Sequence, residues 1–394
     1  MVDINSLEIR ETAMRLAKTV EGFKRRYFLS RVAVGREPRI KVLRGFRGLG
    51  KTTALLQLLG SPRSMYLSMD NPHVQLHSLY DLGQKLVSEG YSSLLMDEAH
   101  HYKNWKTDTK ALYDEFPGLT IIVSGSAPLA FEPERRYEII EVEPLSILEF
   151  SELKGDSIDV QDKEAWRSVD KTLEIIAANP KIYEVFNAYM DGGAFPTFFS
   201  YADKTLDSIY NSIQKSVSED AVFLPNVDGD LILQMGRALV FLATSRLGEF
   251  SINSLAGTLG IPKNKAYHLV HILELMRILR LVKPYGRGAK LVRGDPKLMF
   301  YHPVMRKAVC RNLGVEPDIG ALREELAVFF FRLRGWRVST IKGMKKNPDY
   351  IVERGREKFI IEIGGISKGR SQLRGFSEKT LVISERQLIV LGLF

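Results

Sequence analysis

The chain has 394 residues, 45 % of them apolar and 26 % charged, a composition typical of a folded globular protein rather than a disordered or fibrous one. Lysine and arginine exceed the acidic residues to give a net charge of +9, which is compatible with a nucleic-acid partner but does not require one. A single cysteine, Cys310, excludes an internal disulfide and a thiolate metal site. The length predicts roughly two to four domains.

Two further features bear on where the protein works. No apolar run approaches the roughly 18 residues needed to cross a bilayer. The first residues, Met1 to Ile4, lack the charged-then-apolar order of a signal peptide. Low cysteine use suits a reducing compartment, so we expect a cytoplasmic protein without a membrane partner.

The first motif in chain order lies at residues 45–52 and fits the pattern G-x-x-x-x-G-K-[ST] at every required position. Residues 39–43 before it predict a strand, and residues 53–59 after it predict a helix. Such a loop turns backbone amides toward anionic oxygens, and the helix terminus adds its dipole. The alternative is a chance glycine-rich turn. The residues expected to bind a nucleotide are Gly45, Arg47, Gly48, Leu49, Gly50, Lys51, Thr52 and Thr53.

Two side chains of this loop have specific expected roles. Lys51 would reach the β- and γ-phosphates as a catalytic cation, and the Thr52 hydroxyl would hold Mg²⁺. A buried-strand pattern at residues 92–96 then ends in Asp97 and Glu98. Parallel strands place ligand groups at their carboxyl ends, so Asp97 is expected beside the loop, where it would hold Mg²⁺ directly or through water. Glu98 would polarise the attacking water. A solvated strand end is the alternative for this acidic pair.

A third strand pattern, residues 119–123, ends in Ser124. Its hydroxyl could contact the γ-phosphate or the lytic water, or the serine could serve only the backbone of a turn. Residues 64–70 predict one more strand. The alternation of strands and helices through residue 143 predicts a doubly wound parallel sheet covered by helices.

Four stretches of the chain form a recognisable set: residues 45–52, 95–100, 123–126, and 136–140 leading to 144–150. Together they resemble the AAA+ ATPases, widespread in archaea and bacteria, that carry a C-terminal nuclease-like domain. A glycine-rich segment after an aromatic helix, residues 192–196, is similar to another recurring motif of that family. The resemblance implies an α/β P-loop NTPase fold with a helical lid, and an oligomeric ATPase, a ring of six subunits by family likeness.

The same resemblance implies an arginine finger, a cation supplied across a subunit boundary to a neighbour's γ-phosphate. Arg136 fits the family position better than Arg135, and the alternative is that both are solvated loop residues facing Glu132 and Glu134. The guanine-reading pattern N-K-x-D is not apparent. Family likeness therefore favours ATP with Mg²⁺ as the cofactors.

The predicted domains are a nucleotide-binding domain at 1–150, a helical lid at 151–230, a winged helix at 231–295 and a restriction-endonuclease-like α/β domain at 296–394. The winged-helix prediction rests on helices at 236–244, 251–260 and 263–279, followed by a hairpin at 281–293. Such a module could bind double-stranded DNA or serve only as an inter-domain contact. The cations concerned are Lys263, Lys265, Arg287, Lys290 and Arg293.

The last 80 residues resemble a restriction-endonuclease-like domain, whose chemistry uses two carboxylates on Mg²⁺ and a lysine. Asp349 and Glu362 match the carboxylates, but Gly364 stands where the lysine is expected. Lys368 would be a substitute at a different spacing. The resemblance therefore favours a domain that has kept the fold and lost cleavage.

Three functions follow, in order of preference. The first is Mg²⁺-dependent ATP binding and hydrolysis by an oligomeric AAA+ machine or switch. The second is a nucleotide-gated regulator that binds DNA through the winged helix. The third is an ATPase-coupled nuclease.

Overall fold

The computed structural model describes residues 6–32, 40–60, 63–126, 135–224, 226–247, 251–286, 294–341, 348–364, 373, 376 and 378–394. The chain divides into two compact units. The first unit contains Met1–Glu143 and a short later segment, Glu219–Asn226. The second contains Pro144–Ser218 and Val227–Phe394. Residues near 220 therefore fold with the amino-terminal part of the chain.

The first unit is built on a five-stranded sheet in which every strand runs parallel to its neighbours. The strand order is β2-β3-β4-β1-β5, so β4 lies between β1 and β3. Their continuous buried runs are typical of strands covered on both faces. The predicted parallel α/β sheet is confirmed. The strands are β1 (Ile40–Arg44), β2 (Ser64–Ser68), β3 (Ser93–Asp97), β4 (Thr120–Gly125) and β5 (Tyr137–Glu141).

Among the described residues of this unit there are six helices, and apolar side chains from helices and strands form one core. Leu82 and Leu112 meet the strand residues Leu94 and Val123 there, all of them fully buried. Two helices begin at side-chain caps, because Asn71 and Ser78 accept hydrogen bonds from backbone amides in the first turn. The helices are α1 (Ser6–Lys18), α2 (Leu29–Val32), α3 (Lys51–Leu58), α4 (Pro72–Gln75), α5 (Leu79–Ser88) and α6 (Trp105–Glu115).

The strand register brings the motif-bearing strand ends together. Arg44 at the end of β1 pairs with Gly125 of β4, and Leu43 pairs with Ser124. On the other side of β4, Met96 of β3 pairs with Val123. The carboxyl ends of three adjacent strands therefore lie at one edge of the sheet, as parallel pairing requires.

The second unit is mainly helical. Two of its helices, α13 and α14, are followed by an antiparallel pair of strands, β6 (Leu279–Val282) and β7 (Lys297–Phe300). The third helix of the predicted winged helix ends at Leu275 rather than 279, because Arg277 has a φ of 60° and turns the chain into β6. The helices are α7 (Ile147–Lys154), α8 (Val169–Ala178), α9 (Ile182–Ala188), α10 (Phe198–Tyr201), α11 (Thr205–Lys215), α12 (Gly229–Thr244), α13 (Ile252–Leu259), α14 (Lys263–Leu275), α15 (Pro303–Leu313), α16 (Ile319–Leu333) and α17 (Glu385–Leu391).

A four-stranded sheet completes the second unit, in the order β11-β10-β9-β8. The first three strands along the chain are antiparallel, and the last pairs parallel to β10. The strands are β8 (Arg337–Thr340), β9 (Tyr350–Arg354), β10 (Glu357–Ile363) and β11 (Lys379–Ile383). Across the described ranges, none of the helices combines the length and the apolar character needed to cross a membrane.

Candidate active site

The glycine-rich loop joins β1 to α3 in the predicted order of strand, loop and helix. Gly48 and Gly50 have φ values of 77° and 85°, a region that side-chain-bearing residues rarely adopt. A Cβ atom on Gly45 would lie 2.2 Å from the backbone O of Val142. Arg26 further fixes the loop by donating from Nη1 to the backbone O of Leu49 at 2.7 Å. Glycine is therefore favoured at all three positions, at Gly48 and Gly50 by the positive φ and at Gly45 by the close approach of Val142.

Lys51 is buried at the start of α3, with its side chain directed back into the loop. Its Nζ donates to the backbone O of Gly45 at 2.8 Å and of Phe46 at 2.9 Å. Burial lowers the pKa of this ammonium group, and the nearby carboxylates, Glu98 first among them, oppose the shift. The next residue, Thr52, is exposed, and Thr53 is half-buried. The cation and the hydroxyl that the motif predicted are therefore carried by the first two residues of α3, directly after the loop.

Asp97 is buried at the end of β3, and neutral donors hold both of its oxygens. Tyr66 donates its hydroxyl to Oδ2 at 2.9 Å, and Ser124 donates its hydroxyl to Oδ1. Burial, followed by the charge of Asp97, raises the pKa of Tyr66, which keeps this phenol a proton donor. The structure thus brings Ser124 from β4 onto Asp97. Its expected contact with a phosphate or water stays a prediction.

Glu98 follows at a turn and has a φ of 48°, which is uncommon for a residue with a side chain. Its backbone N lies 3.4 Å from the hydroxyl oxygen of Ser124. Its carboxylate oxygen Oε2 is buried and lies 3.3 Å from Nδ1 of His100, in a single 3₁₀ turn spanning Ala99–His101. The two residues of the predicted acidic pair therefore have different surroundings. Asp97 is enclosed by donors, whereas Glu98 projects from a strained turn.

A contact that the sequence did not predict joins the loop to residue 220. Arg47 donates from Nε to Oδ2 of Asp220 at 2.8 Å and from Nη2 to Oδ1 at 2.6 Å. The hydroxyl of Ser126, just after β4, donates to Oδ2 at 2.9 Å. Glu219, which is 53 % exposed, lies 3.2 Å from the same guanidinium. Burial alone would raise the pKa of Asp220, but Arg47, His100 and Ser126 hold it well below its ordinary value.

Comparison with known families addresses the same region. Residues 37–151 match the family model of an AAA domain. A second family model, described as a domain of unknown function (DUF8612), matches residues 183–317. The first match supports an AAA-type ATPase family for the part of the chain that carries the loop and the acidic pair, as the sequence resemblance predicted.

Three proteins that this chain is similar to each share less than 30 % sequence identity with it. The uncharacterized protein MJ1637 of Methanocaldococcus jannaschii is 28 % identical over 370 residues, which cover 84 % of this chain and 76 % of that protein. The Walker-type ATPase PABY2304 of Pyrococcus abyssi is 16 % identical with a TM-score of 0.39, covering 76 % of this chain and 94 % of its own. AMPPCP-bound DnaA from Aquifex aeolicus is 13 % identical with a TM-score of 0.22, covering 68 % and 88 %.

The contact between Arg47 and Asp220 gives a stability prediction for the first unit. In Asp220→Asn we expect the free energy of unfolding to fall by about 1–3 kcal/mol, because a buried charged hydrogen-bond acceptor is lost. The matched change Glu219→Gln should cost less than about 1 kcal/mol, since that carboxylate is mostly exposed. Urea denaturation at pH 7 measures both variants. Equal stabilities of the two variants would contradict the assignment.

The contribution of Asp220 to the free energy of unfolding should decrease at low pH. The pKa of Asp220 is depressed in the folded chain, so its stabilising effect is complete above the unfolded carboxyl pKa of about 3.9. The difference between the wild-type chain and Asp220→Asn should therefore be constant near neutrality and shrink as the pH falls below about 4.

Arg136, the predicted finger, lies immediately before β5 and forms a surface ion pair with Asp114 at 3.0 Å. Its backbone O accepts a hydrogen bond from Ile40 N at the start of β1. Arg136 is thus at the amino edge of the sheet, opposite the loop that follows β1. It takes no part in the site of its own chain, and a role in a neighbouring subunit stays a prediction.

The carboxylates of the predicted nuclease-like domain also lie side by side. The Asp349 carboxylate accepts a hydrogen bond from Ile363 N at 2.7 Å, and Glu362 lies with Oε2 3.3 Å from Asp349 N. Glu362 is buried and Gly364 follows the end of β10. Lys368 lies outside the described residues, as do Arg287, Lys290 and Arg293 of the predicted wing.

Proposed function

We propose that this protein binds ATP with Mg²⁺ and hydrolyses it. The observation that carries the proposal is the meeting of the glycine-rich loop, Lys51, Asp97 and Glu98 at one edge of a parallel sheet. The match to an AAA domain over residues 37–151 supports it. In this proposal Lys51 neutralises charge on the terminal phosphates, Thr52 and Asp97 hold the ion, and Glu98 polarises the attacking water.

The residues present fit such a ligand. The positive φ values of Gly48 and Gly50 are those of a backbone that turns amides toward an anion. Thr52 is exposed, and the two oxygens of Asp97 accept hydrogen bonds from the hydroxyl groups of Tyr66 and Ser124. Oxygen ligands are those that Mg²⁺ prefers. When bound, the nucleotide supplies the phosphoanhydride bond and the ion shields its charge. The bond from Ser124 to Asp97 supports a positioning role for this serine.

Calorimetric titration with ATP in the presence and absence of Mg²⁺ tests the proposal. We expect binding that requires the ion and that weakens by about tenfold or more, roughly 1.4 kcal/mol or more, in Lys51→Ala. Lys85→Ala, in the last turn of α5, is the matched control and should bind like the wild-type chain. Absence of Mg²⁺-dependent ATP binding by correctly folded protein would overturn the proposal.

We further propose that the ATPase works as a homo-oligomer, with Arg136 acting on a neighbouring subunit. Its position away from the loop of its own chain supports a role in trans. The native mass with and without ATP measures the assembly, for which six subunits remain the expectation from family likeness.

Contact with DNA is a second candidate, based on the helix, helix and hairpin order of α13, α14 and the strands β6 and β7. Lys265 on α14 already forms an ion pair with Asp230, which leaves fewer cations for a phosphate backbone. We therefore place DNA binding below ATP hydrolysis, and cleavage lower still, because Gly364 replaces the expected lysine.

A further inference from the structure

Two neighbouring histidines follow the acidic pair, and they lie against Glu98. A carboxylate oxygen of Glu98 and one ring nitrogen from each of His100 and His101 lie within 4.8 Å of one another. The two rings are 4.4 Å apart between centroids, and Phe223 packs edge-on against both. Three potential metal ligands are therefore held together, and of these only Glu98 takes part in the proposed reaction.

Polar atoms of His100 and Glu98 are buried without a hydrogen-bond partner among the described residues. The His100 side chain is only 1 % exposed, yet neither ring nitrogen has a hydrogen-bond partner among the described residues. The same holds for Oε2 of Glu98 within the described ranges. A buried polar group without a partner destabilises the folded chain, so a bound species that satisfies both groups would be favoured. Nδ1 of His100 and Oε2 of Glu98 lie 3.3 Å apart, so these two potential ligand atoms face each other.

The other nitrogen of His100 faces a second carboxylate. Nε2 lies 3.7 Å from Oδ1 of Asp220, which is itself held by Arg47. Histidine ligands of metals are commonly oriented in this way, with one nitrogen toward the ion and the other toward an outer carboxylate. His101 is partly exposed, which gives an ion access from solvent.

We propose that Glu98, His100 and His101 bind a transition-metal ion of the zinc class, with Asp220 as the outer carboxylate of His100. Two imidazoles and one carboxylate suit Zn²⁺ or Co²⁺ and differ from the all-oxygen set that Mg²⁺ prefers. Binding engages the carboxylate that would polarise water, so the metal inhibits hydrolysis. This inhibitory consequence rests on the proposed function, whereas metal binding itself does not.

Titration with Co²⁺ in excess Mg²⁺, followed by visible absorption, tests the site directly. We expect one equivalent of Co²⁺ to give ligand-field bands that are lost in His101→Gln and in His100→Gln and kept in His73→Gln, an exposed histidine on α4. His101 is partly exposed, so its variant remains informative if the buried His100→Gln fails to fold. Asp220→Asn should weaken Co²⁺ binding by about 10- to 100-fold. No bands, or bands unchanged in His101→Gln, would overturn the site.

Zn²⁺ inhibition of ATP turnover tests the consequence. The Zn²⁺ concentration that halves ATP turnover should match the dissociation constant of Zn²⁺ at this site. That concentration should rise in His101→Gln, with inhibition measured relative to the turnover of the same variant without Zn²⁺. Co²⁺ binding without ATP turnover would contradict the proposed function and leave the metal site standing. Turnover without Co²⁺ binding would contradict the metal site alone.

Discussion

Replacing Glu98 by glutamine is expected to lower ATP turnover by about 10²- to 10⁴-fold, the range that a positioned general base contributes. Glutamine keeps the size and shape of the side chain but cannot accept a proton from water. Because the loop, Lys51 and Asp97 are unaffected, we expect ATP affinity to change by less than about threefold, which is within 0.7 kcal/mol. The variant should therefore bind ATP and hold it.

Single-turnover hydrolysis and calorimetric binding on the same preparation separate these two effects. Glu115→Gln is the matched control, because Glu115 is the exposed last residue of α6 and accepts hydrogen bonds from Tyr80 and Gln84. That variant should hydrolyse ATP like the wild-type chain. Unchanged turnover in Glu98→Gln would remove Glu98 from the mechanism, and a parallel loss of binding would indicate a structural role.

A second large effect is expected from Arg306 in the second unit. Its guanidinium donates to Oε1 of Glu325 from Nε at 3.0 Å and from Nη2 at 2.7 Å, and both side chains are fully buried. Nη1 donates to the backbone O of Leu242 at 2.6 Å and of Ala243 at 3.1 Å. Arg306→Met leaves the buried carboxylate without its counter-ion. We expect the free energy of unfolding to fall by about 3–5 kcal/mol.

Lys307→Met is the control, because the adjacent Lys307 forms a surface ion pair with Asp191 and should cost less than about 1 kcal/mol. Burial raises the pKa of Glu325, and Arg306 opposes that rise. Without Arg306 the carboxyl group protonates more readily, so the deficit of Arg306→Met should be smaller at pH 5 than at pH 8. Adding Glu325→Gln should restore part of the stability. Equal costs at positions 306 and 307 in urea denaturation would contradict this account.

The local motifs made much of the first unit predictable. The loop at 45–52 and the strand ends at Asp97 and Ser124 are each encoded within a few residues, and parallel pairing then dictates that they share an edge. Periodicity also located most strands correctly. The apolar pattern predicts a third helix that ends four residues later than α14 does. The difference arises because Arg277, which has a positive φ, interrupts the helix while the apolar pattern continues.

Contacts between distant segments were not predictable in the same way. Asp220 lies 173 residues from Arg47 and belongs to no motif, so nothing in the sequence connects it with the loop. The sequence shows His100 and His101 close to the acidic pair. The arrangement of their rings, however, depends on a 3₁₀ turn and on packing against Phe223. Such relations follow from tertiary packing, which short-range patterns do not encode.

The return of Glu219–Asn226 to the first unit has a practical consequence for anyone dissecting this protein. A recombinant fragment trimmed to residues 37–151 would retain all five strands of the sheet but would lack Asp220 and Phe223. Arg47 would then lose the carboxylate that holds it, and the two histidine rings would lose their aromatic cover. The boundary of the AAA family match is thus not a safe place to cut, and an autonomous fragment needs the later segment added back.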